Sequence, residues 1–203
     1  MIVVIDYGMG NIGTIAAKIK KLDPSVIVSS DTDNIERADK LVLPGVGSFK
    51  AAMQNFYNLG ITSALERQVI RNKIPILGIC LGMQLFTRKS EEGDCEGFGW
   101  IDAVTVRFNE DDQFLRIPHM GWNTINIKNP SSLVSGTENG SRFYFSHSYH
   151  VRCFNPDDII ATTEYGYEFC SIVNHKNIYG VQFHPERSHK RGFMLLSSFI
   201  RGD

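Results

Sequence analysis

The spacing of apolar and polar positions differs between the two halves of the chain. Short apolar runs at 2–6 (IVVID), 26–30 (VIVSS), 40–47 (KLVLPGVG) and 75–79 (PILGI) predict buried strands. Helical spacing of apolar residues predicts helices at 11–22, 49–60, 61–72 and 81–89, with Gly60 ending the second. Strands that alternate with helices favour an α/β fold with a mostly parallel sheet and helices on both faces.

The second half is dominated by β-forming residues in short segments separated by turn residues. Six such segments, 100–108, 122–128, 141–154, 158–165, 168–177 and 178–184, predict antiparallel strands added to the parallel core. A final amphipathic helix is predicted over 192–201. We find no internal repeat, low-complexity stretch or linker, so residues 1–203 are predicted to form a single domain.

Composition narrows the class of protein. A chain of 203 residues that is 42% hydrophobic can bury a sizeable core, and its scattered charges sum to −1. This balance gives no reason to expect a nucleic-acid or membrane surface, and no apolar run approaches the roughly 20 residues of a membrane span. The N-terminal residues do not resemble a secretory signal, and the four widely spaced cysteines include no C-x-x-C pair. A cytoplasmic protein with free thiols is expected.

Cys80 lies between two glycines, in Gly78-Ile79-Cys80-Leu81-Gly82, where a predicted strand meets a predicted helix. This is the spacing of the G-x-S-x-G nucleophile elbow, with sulfur in place of oxygen. In such an elbow the helix N-terminus favours the thiolate, and the N–H of Leu81 is placed to bind an oxyanion. The other interpretation is a small buried cysteine of the core, which this short motif alone does not exclude.

His184 and Glu186, in VQFHPERS, could supply the partners that a thiolate nucleophile needs. In an extended backbone, residues two apart face the same side, so Glu186 can orient one ring nitrogen while the other faces the thiolate. Taken alone, an H-x-E pair is more typical of a surface ion pair. Because ligands bind outside the carboxyl ends of strands in open α/β sheets, we expect His184 and Cys80 to meet at one site.

Pro44-Gly45-Val46-Gly47 follows a third strand. Its backbone N–H groups suit a second oxyanion donor or a small polar ligand, although an ordinary turn fits as well. No G-K-[ST] follows and no G-x-G-x-x-G is present, so no nucleotide cofactor is expected. A metal is not expected either, since His147 and His150, taken as lying on one strand, would face opposite sides without a carboxylate or thiol partner.

Five motifs, DYGMGN, LPGVG, GICLGMQL, PHMGWN and VQFHPERS, occur in this order and cover nearly the whole chain. Together they resemble the triad-type (class I) glutamine amidotransferases, and among these the HisH glutaminase subunits of imidazole glycerol phosphate synthase. The resemblance implies a flavodoxin-like class I amidotransferase fold. It also implies that a cysteine attacks the side-chain amide of glutamine and releases glutamate and ammonia.

The resemblance assigns site residues position by position. It implies a catalytic triad of Cys80, His184 and Glu186, and an oxyanion hole lined by Val46 and Leu81. The glutamine-binding residues that it implies are Gly47, Gln84, Ser146, His147, Ser148 and Tyr149. Gln84 lies one helical turn after Cys80 and can therefore face the same pocket.

A partner is also implied, namely a HisF-type (β/α)₈-barrel cyclase in a heterodimer. The cyclase would combine the ammonia with a phosphoribulosyl aminoimidazole carboxamide and form imidazole glycerol phosphate and AICAR in histidine biosynthesis. The interface residues implied are Asn11, Pro118, His119, Met120, Trp122 and Arg187. Without the resemblance, PHMGWN is more typical of a turn with a core tryptophan.

One departure keeps a second pathway open. The family's usual HPEKS is HPERS here, and Arg187 keeps the charge of the lysine but not its geometry. His189, Lys190 and Arg191 then make this edge basic, which resembles HisH-like paralogues that supply ammonia to synthases acting on surface-polysaccharide sugars. Two other classes remain as alternatives. Intact Cys80, His184 and Glu186 disfavour an idle binding module, and full activity without a partner would mark a stand-alone cysteine hydrolase of peptides.

Overall fold

The computed structural model describes residues 1–109 and 115–202. Its strands are β1 (Ile2–Ile5), β2 (Ile27–Ser29), β3 (Lys40–Gly45), β4 (Ile76–Cys80), β5 (Lys89–Ser90), β6 (Cys95–Glu96), β7 (Ala103–Arg107), β8 (His119–Thr124), β9 (Asn126–Ile127), β10 (Arg142–His147), β11 (Tyr149–Cys153), β12 (Ile159–Tyr165), β13 (Tyr167–His175) and β14 (Ile178–Val181). Its α-helices are α1 (Ile12–Lys20), α2 (Thr32–Glu36), α3 (Phe49–Leu59), α4 (Thr62–Glu66), α5 (Leu81–Gln84) and α6 (His189–Arg201). A π-helical stretch, Arg67–Arg71, continues α4.

The main sheet has a parallel half and an antiparallel half. The parallel half runs in the order β2-β1-β3-β4-β14, so the strand nearest the C-terminus pairs directly with β4. Beyond β14, the strands β13, β11 and β7 continue the sheet in antiparallel pairs. The predicted mixed α/β architecture is therefore confirmed, with β8 and β10 forming a separate two-stranded sheet over its end.

Helices cover both faces of the sheet because alternate residues of the buried strands point in opposite directions. Val3 and Ile5 of β1 pack into one apolar cluster with residues of α3 and α4. Ile2 and Val4 pack into the other, with residues of α1 and α6. The carboxyl ends of β1, β3, β4 and β14 lie at the same edge of the sheet because these strands are parallel neighbours, and a site can form there.

The helix that follows β4 is much shorter than the sequence predicts. The helix expected over 81–89 ends after one turn, at Gln84. The reason is that carbonyl groups which a longer helix would use are taken elsewhere: Phe98 N–H donates to Leu85 and Trp100 N–H to Phe86, while the Thr87 hydroxyl donates to Gln84. Residues 85–90 therefore turn away into β5.

The segment 141–154, predicted as one stretch, forms two strands that separate at Ser148. As a result, the argument that His147 and His150 face opposite sides of one strand is wrong. Both rings pack against Phe108, with ring centroids 5.3 and 4.7 Å away.

Within the described residues, no helix is long and apolar enough to cross a membrane.

Candidate active site

Cys80 ends β4 in a strained backbone conformation. Its φ of 54° and ψ of −111° are unusual for a residue with a side chain, and α5 begins at the next residue. The turn is tight enough that a Cβ on Gly82 would lie 1.9 Å from the Leu43 carbonyl oxygen, and one on Gly78 would lie 2.5 Å from the Phe86 ring. These close approaches explain why both neighbours of the elbow are glycine. Because α5 is a single turn, it has no long-helix dipole to act on the sulfur.

His184 and Glu186 form a buried pair beyond the end of β14. The Nδ1 atom of His184 lies 3.0 Å from Oε1 of Glu186, and both side chains are almost fully buried. The segment is held by β10, since His184 N–H donates to the Tyr144 carbonyl and the Ser188 hydroxyl accepts from Tyr144 N–H. An H-x-E pair with this burial is not a surface ion pair.

The electrostatics of His184 favour its protonated form. Burial alone lowers the pKa of a histidine, but the charge of Cys80, a hydrogen bond to it, and the Glu186 carboxylate together raise the pKa of His184 to about 10. Burial, together with the same charge, raises the pKa of Tyr7, which follows β1. Cys80 and His184 thus interact at the adjacent ends of the paired strands β4 and β14.

A cavity of about 340 Å³ opens onto the sulfur. It brings together all the residues that the sequence assigns to the triad, the oxyanion hole and glutamine binding: Val46, Gly47, Cys80, Leu81, Gln84, Ser146, His147, Ser148, Tyr149, His184 and Glu186. Residues at the ends of β3, β4 and β14 and around the β10–β11 turn therefore converge on one pocket. Its size is at the lower end of the range for small-molecule sites.

The residues assigned to the partner interface fall into three groups. Asn11, Pro118 and Arg187 line the cavity itself. Met120 and Trp122 lie on the outer face of β8, with 63% and 40% of their surfaces exposed, so Trp122 is not a core residue. His119 faces inward on the same strand and is only 3% exposed. Its side chain therefore lies behind this surface and not on it.

On the inward side of β8, two histidines are joined by a hydrogen bond. His119 Nδ1 lies 3.1 Å from His147 Nε2, and His147 Nδ1 lies 2.8 Å from the Tyr149 carbonyl oxygen. Since a carbonyl only accepts, His147 is protonated on Nδ1, and His119 must donate to its Nε2. Both nitrogens of His147 are thus occupied. Among residues 1–109 and 115–202, no three His, Cys, Asp or Glu side chains come together as a metal site would require.

Sequence reasoning missed two buried residues of the site. The Gln182 side chain is fully buried between Cys80 and Gln84, and its Nε2 lies 3.6 Å from the sulfur. Ser188, 1% exposed, donates its hydroxyl proton to the His184 carbonyl at 2.7 Å. Neither residue belongs to a recognisable motif, because Gln182 lies inside an apolar run and Ser188 follows a turn.

The fold is that of a glutamine amidotransferase, as comparison with known proteins shows. The sequence matches the family described as glutamine amidotransferase class-I over residues 3–201. The chain therefore belongs to the class-I glutamine amidotransferase family.

Curated relatives narrow the position within that family to the HisH group. The chain is 49% identical to imidazole glycerol phosphate synthase subunit HisH 2 of Methanococcus maripaludis, over 99% of both chains. It is 44% identical to subunit HisH 2 of Pseudomonas aeruginosa, over 98% of both chains. A second M. maripaludis protein, named subunit HisH 1, is 43% identical over 98% of both chains.

Solved structures share the fold at low sequence identity. A glutamine amidotransferase from Thermotoga maritima superposes with a TM-score of 0.68 at 17% identity, covering 98% of this chain and 96% of that one. Another structure described as a glutamine amidotransferase has a TM-score of 0.73 at 15% identity, covering 96% and 98%. These similarities establish the fold alone.

Proposed function

We propose that this chain is the glutaminase subunit of an imidazole glycerol phosphate synthase. It hydrolyses L-glutamine to glutamate and ammonia and passes the ammonia to a cyclase subunit, which makes imidazole glycerol phosphate and AICAR in histidine biosynthesis. The observation that carries this proposal is the arrangement of Cys80, His184 and Glu186 around one small cavity. The names of the HisH relatives supply the pathway.

The first half of the reaction forms a thioester. The Cys80 thiolate attacks the side-chain amide carbon of glutamine, and the N–H groups of Leu81 and Val46 stabilise the oxyanion. His184, protonated because its pKa is raised to about 10, then donates its proton to the departing ammonia. Glu186 keeps the ring in place through Nδ1, so that Nε2 faces the sulfur and the leaving group.

The second half regenerates the enzyme. His184, now neutral, takes a proton from water, and the hydroxide attacks the thioester carbonyl at the same oxyanion hole. The C–S bond breaks, glutamate leaves, and the thiolate is restored beside a protonated His184. Each proton that leaves the ring in the first half is therefore returned in the second.

Glutamine is held by backbone and amide groups of the cavity wall. Both amide hydrogens of Gln84 are already used, by the Tyr149 carbonyl at 2.8 Å and by Gln182 at 3.1 Å. Its carbonyl oxygen is then the atom that accepts from the substrate. Gly47 and the segment 146–149 present backbone groups to the other polar atoms of glutamine, and His147 acts by supporting that segment.

The synthase partner would cover the mouth of this cavity. Ammonia released into neutral water is mostly protonated and loses its nucleophilicity, so a sheltered path to a second active site is needed. Asn11, Pro118 and Arg187 line the opening, with the Arg187 guanidinium 4.2 Å from the Tyr144 ring centre. Together with exposed Met120 and Trp122, they form the surface on which we place a HisF-type (β/α)₈ barrel in a heterodimer.

The deciding measurement is glutamate release from glutamine, with and without a HisF-type cyclase and its ribonucleotide substrate. We expect weak activity alone, strong stimulation by the loaded cyclase, and no activity in Cys80→Ala, which still binds the cyclase because the fold is kept. Equal turnover by wild type and Cys80→Ala would contradict the cysteine mechanism. Full turnover without a partner would indicate a stand-alone hydrolase.

A second candidate is a HisH-like paralogue that supplies ammonia to a synthase of surface-polysaccharide sugars. The observation in its favour is that one organism, M. maripaludis, has two related proteins numbered HisH 1 and HisH 2. The basic run His189-Lys190-Arg191 also departs from the usual family sequence. If glutamate release is absent with the histidine-pathway cyclase but present with a sugar-pathway barrel, this second candidate is selected.

A further inference from the structure

Gln182 lies where few polar side chains are found, at the centre of the sheet between two strand ends. It follows β14 directly, and its own N–H donates to the Ser171 carbonyl at 2.9 Å, which extends the pairing of that strand. Its side chain is 0% exposed. A buried amide of this kind must find hydrogen-bond partners, because leaving it unpaired would destabilise the fold.

The orientation of the Gln182 amide follows from its neighbours. Gln84 places its nitrogen against the Tyr149 carbonyl at 2.8 Å, and a carbonyl can only accept, so the identity of that nitrogen is fixed. The same nitrogen donates to the facing atom of Gln182, at 3.1 Å, which must therefore be the oxygen. The Gln182 nitrogen is left pointing at the Cys80 sulfur, 3.6 Å away.

We propose that Gln182 is a further catalytic residue, whose amide N–H donates to the Cys80 sulfur and favours the thiolate before glutamine binds. The inference rests on the proposed function, in which that thiolate is the nucleophile. An amide donor is suited to this role because it does not titrate and cannot take the proton from the sulfur. A hydrogen bond to a charged acceptor is stronger than one to a neutral thiol, so the bond favours the ionised form.

Other groups around the sulfur act differently. His184 lies beyond the end of β14, with Glu186 on the far side of its ring. Its protonated ring pairs with the Cys80 thiolate. Tyr7 faces it from beyond β1, and its raised pKa keeps the phenol neutral throughout the working range. The Ser146 carbonyl, 3.9 Å from the sulfur, can accept a hydrogen bond from the thiol and cannot stabilise a thiolate. Among these groups, Gln182 is the neutral one whose N–H lies within hydrogen-bond distance of the sulfur, at 3.6 Å.

The test is the pH dependence of Cys80 alkylation by iodoacetamide, followed by peptide-resolved mass spectrometry so that the other cysteines do not interfere. In Gln182→Met, of similar size but without a donor, we expect the midpoint of the rate profile to rise by about one pH unit. Gln182→Glu, which keeps the shape and adds a negative charge, should raise it further. A merely structural role would lower the plateau rate without moving the midpoint.

A matched control is Gln68→Met, since Gln68 is another buried glutamine, 5% exposed, whose amide donates to the Glu36 carbonyl far from the sulfur. Its alkylation midpoint should equal that of wild type. If the Gln182 variants do not fold, the inference can still be tested by NMR on the wild-type protein. The side-chain amide NMR signals of Gln182 should then titrate with the Cys80 midpoint and lose that titration in Cys80→Ala.

An unchanged midpoint in folded Gln182→Met, or amide signals that do not follow Cys80, would overturn the inference. The readout needs neither glutamine nor a partner, so it is separable from the proposed function. Loss of glutamine hydrolysis under every condition in wild type would refute the function while leaving the alkylation result to stand by itself.

Discussion

Three buried histidines, His119, His147 and His150, are held neutral in this protein. Burial lowers the pKa of His119 and of His150 to about 4, and it lowers the pKa of His147 well below the ordinary value. The hydrogen bonds of His119 and His147 require the same state, because each of these two rings donates from one nitrogen and accepts at the other. An extra proton on Nε2 of His147 would face the N–H of His119, which cannot accept it.

This arrangement predicts loss of stability in mild acid. An unfolded histidine gains its proton near pH 6.5, whereas the folded ones resist until lower pH. Each buried histidine therefore removes about 1.4 kcal/mol from the free energy of unfolding for every pH unit below that point. Urea unfolding should show this fall from about pH 6.5 down to about pH 4, where the folded histidines gain their protons.

The variant His150→Phe should reduce that acid dependence by about a third, because one of three neutral histidines is removed. Phenylalanine suits the position, which packs against Phe108, Tyr167 and Phe169. His189→Gln, at an exposed position, is the control and should leave the slope unchanged. Parallel slopes for all three proteins would show that the buried histidines do not control acid stability.

The strained turn between β4 and α5 has a predictable thermodynamic consequence. A non-glycine residue in such a conformation costs on the order of 1–3 kcal/mol, and Cys80 carries this strain for the sake of an accessible sulfur. We expect Cys80→Gly to be more stable than Cys80→Ala by about 1 kcal/mol, since glycine adopts the conformation without strain. Both variants lack the thiol, so urea unfolding of the pair isolates the backbone term. Equal stabilities would show that the turn is unstrained.

Elements with a regular apolar period could be predicted from the sequence. The helices α1, α3 and α6 and the strands β1, β3 and β4 lie where the spacing indicates. The five-residue α2 and the two-residue β5 were missed because they are too short to show a period. The length of α5 could not be predicted either, since residues 98–101 take the carbonyl groups that would have extended it.

The candidate site was predictable to the extent that it lies in motifs at strand ends. The sequence assigned Cys80, His184 and Glu186 because each has a recognisable neighbourhood and topology places strand ends together. Gln182 was not recognisable, because its contacts with Gln84 join positions 98 residues apart. Only the paired strands β4 and β14 show that these side chains meet.

At the scale of the whole molecule, the cavity and β8 are neighbours, because Pro118 lines the cavity and β8 begins at the next residue. Trp122 stacks on His189 with ring centroids 5.3 Å apart, so its position is fixed before any partner arrives. A rigid, half-exposed aromatic is typical of residues that dominate binding energy.

We expect Trp122→Ala to weaken cyclase binding by about tenfold or more, measured by titration calorimetry. Tyr57→Ala, which removes an aromatic that is 79% exposed and outside the cavity, should bind as wild type. Similar affinities for both variants would place the interface elsewhere.

The pairing of β4 with β14 also bears on how the chain becomes active during its synthesis. On the ribosome, β4 has β3 as its neighbour from early on, but its other edge stays unpaired until residues 178–181 emerge, about 100 residues later. β4 is fully buried in the finished fold, but during that interval one of its edges is open to unwanted pairing. Nascent chains need protection there. The same interval keeps Cys80 apart from His184, so the proposed catalytic pair is completed only late in synthesis.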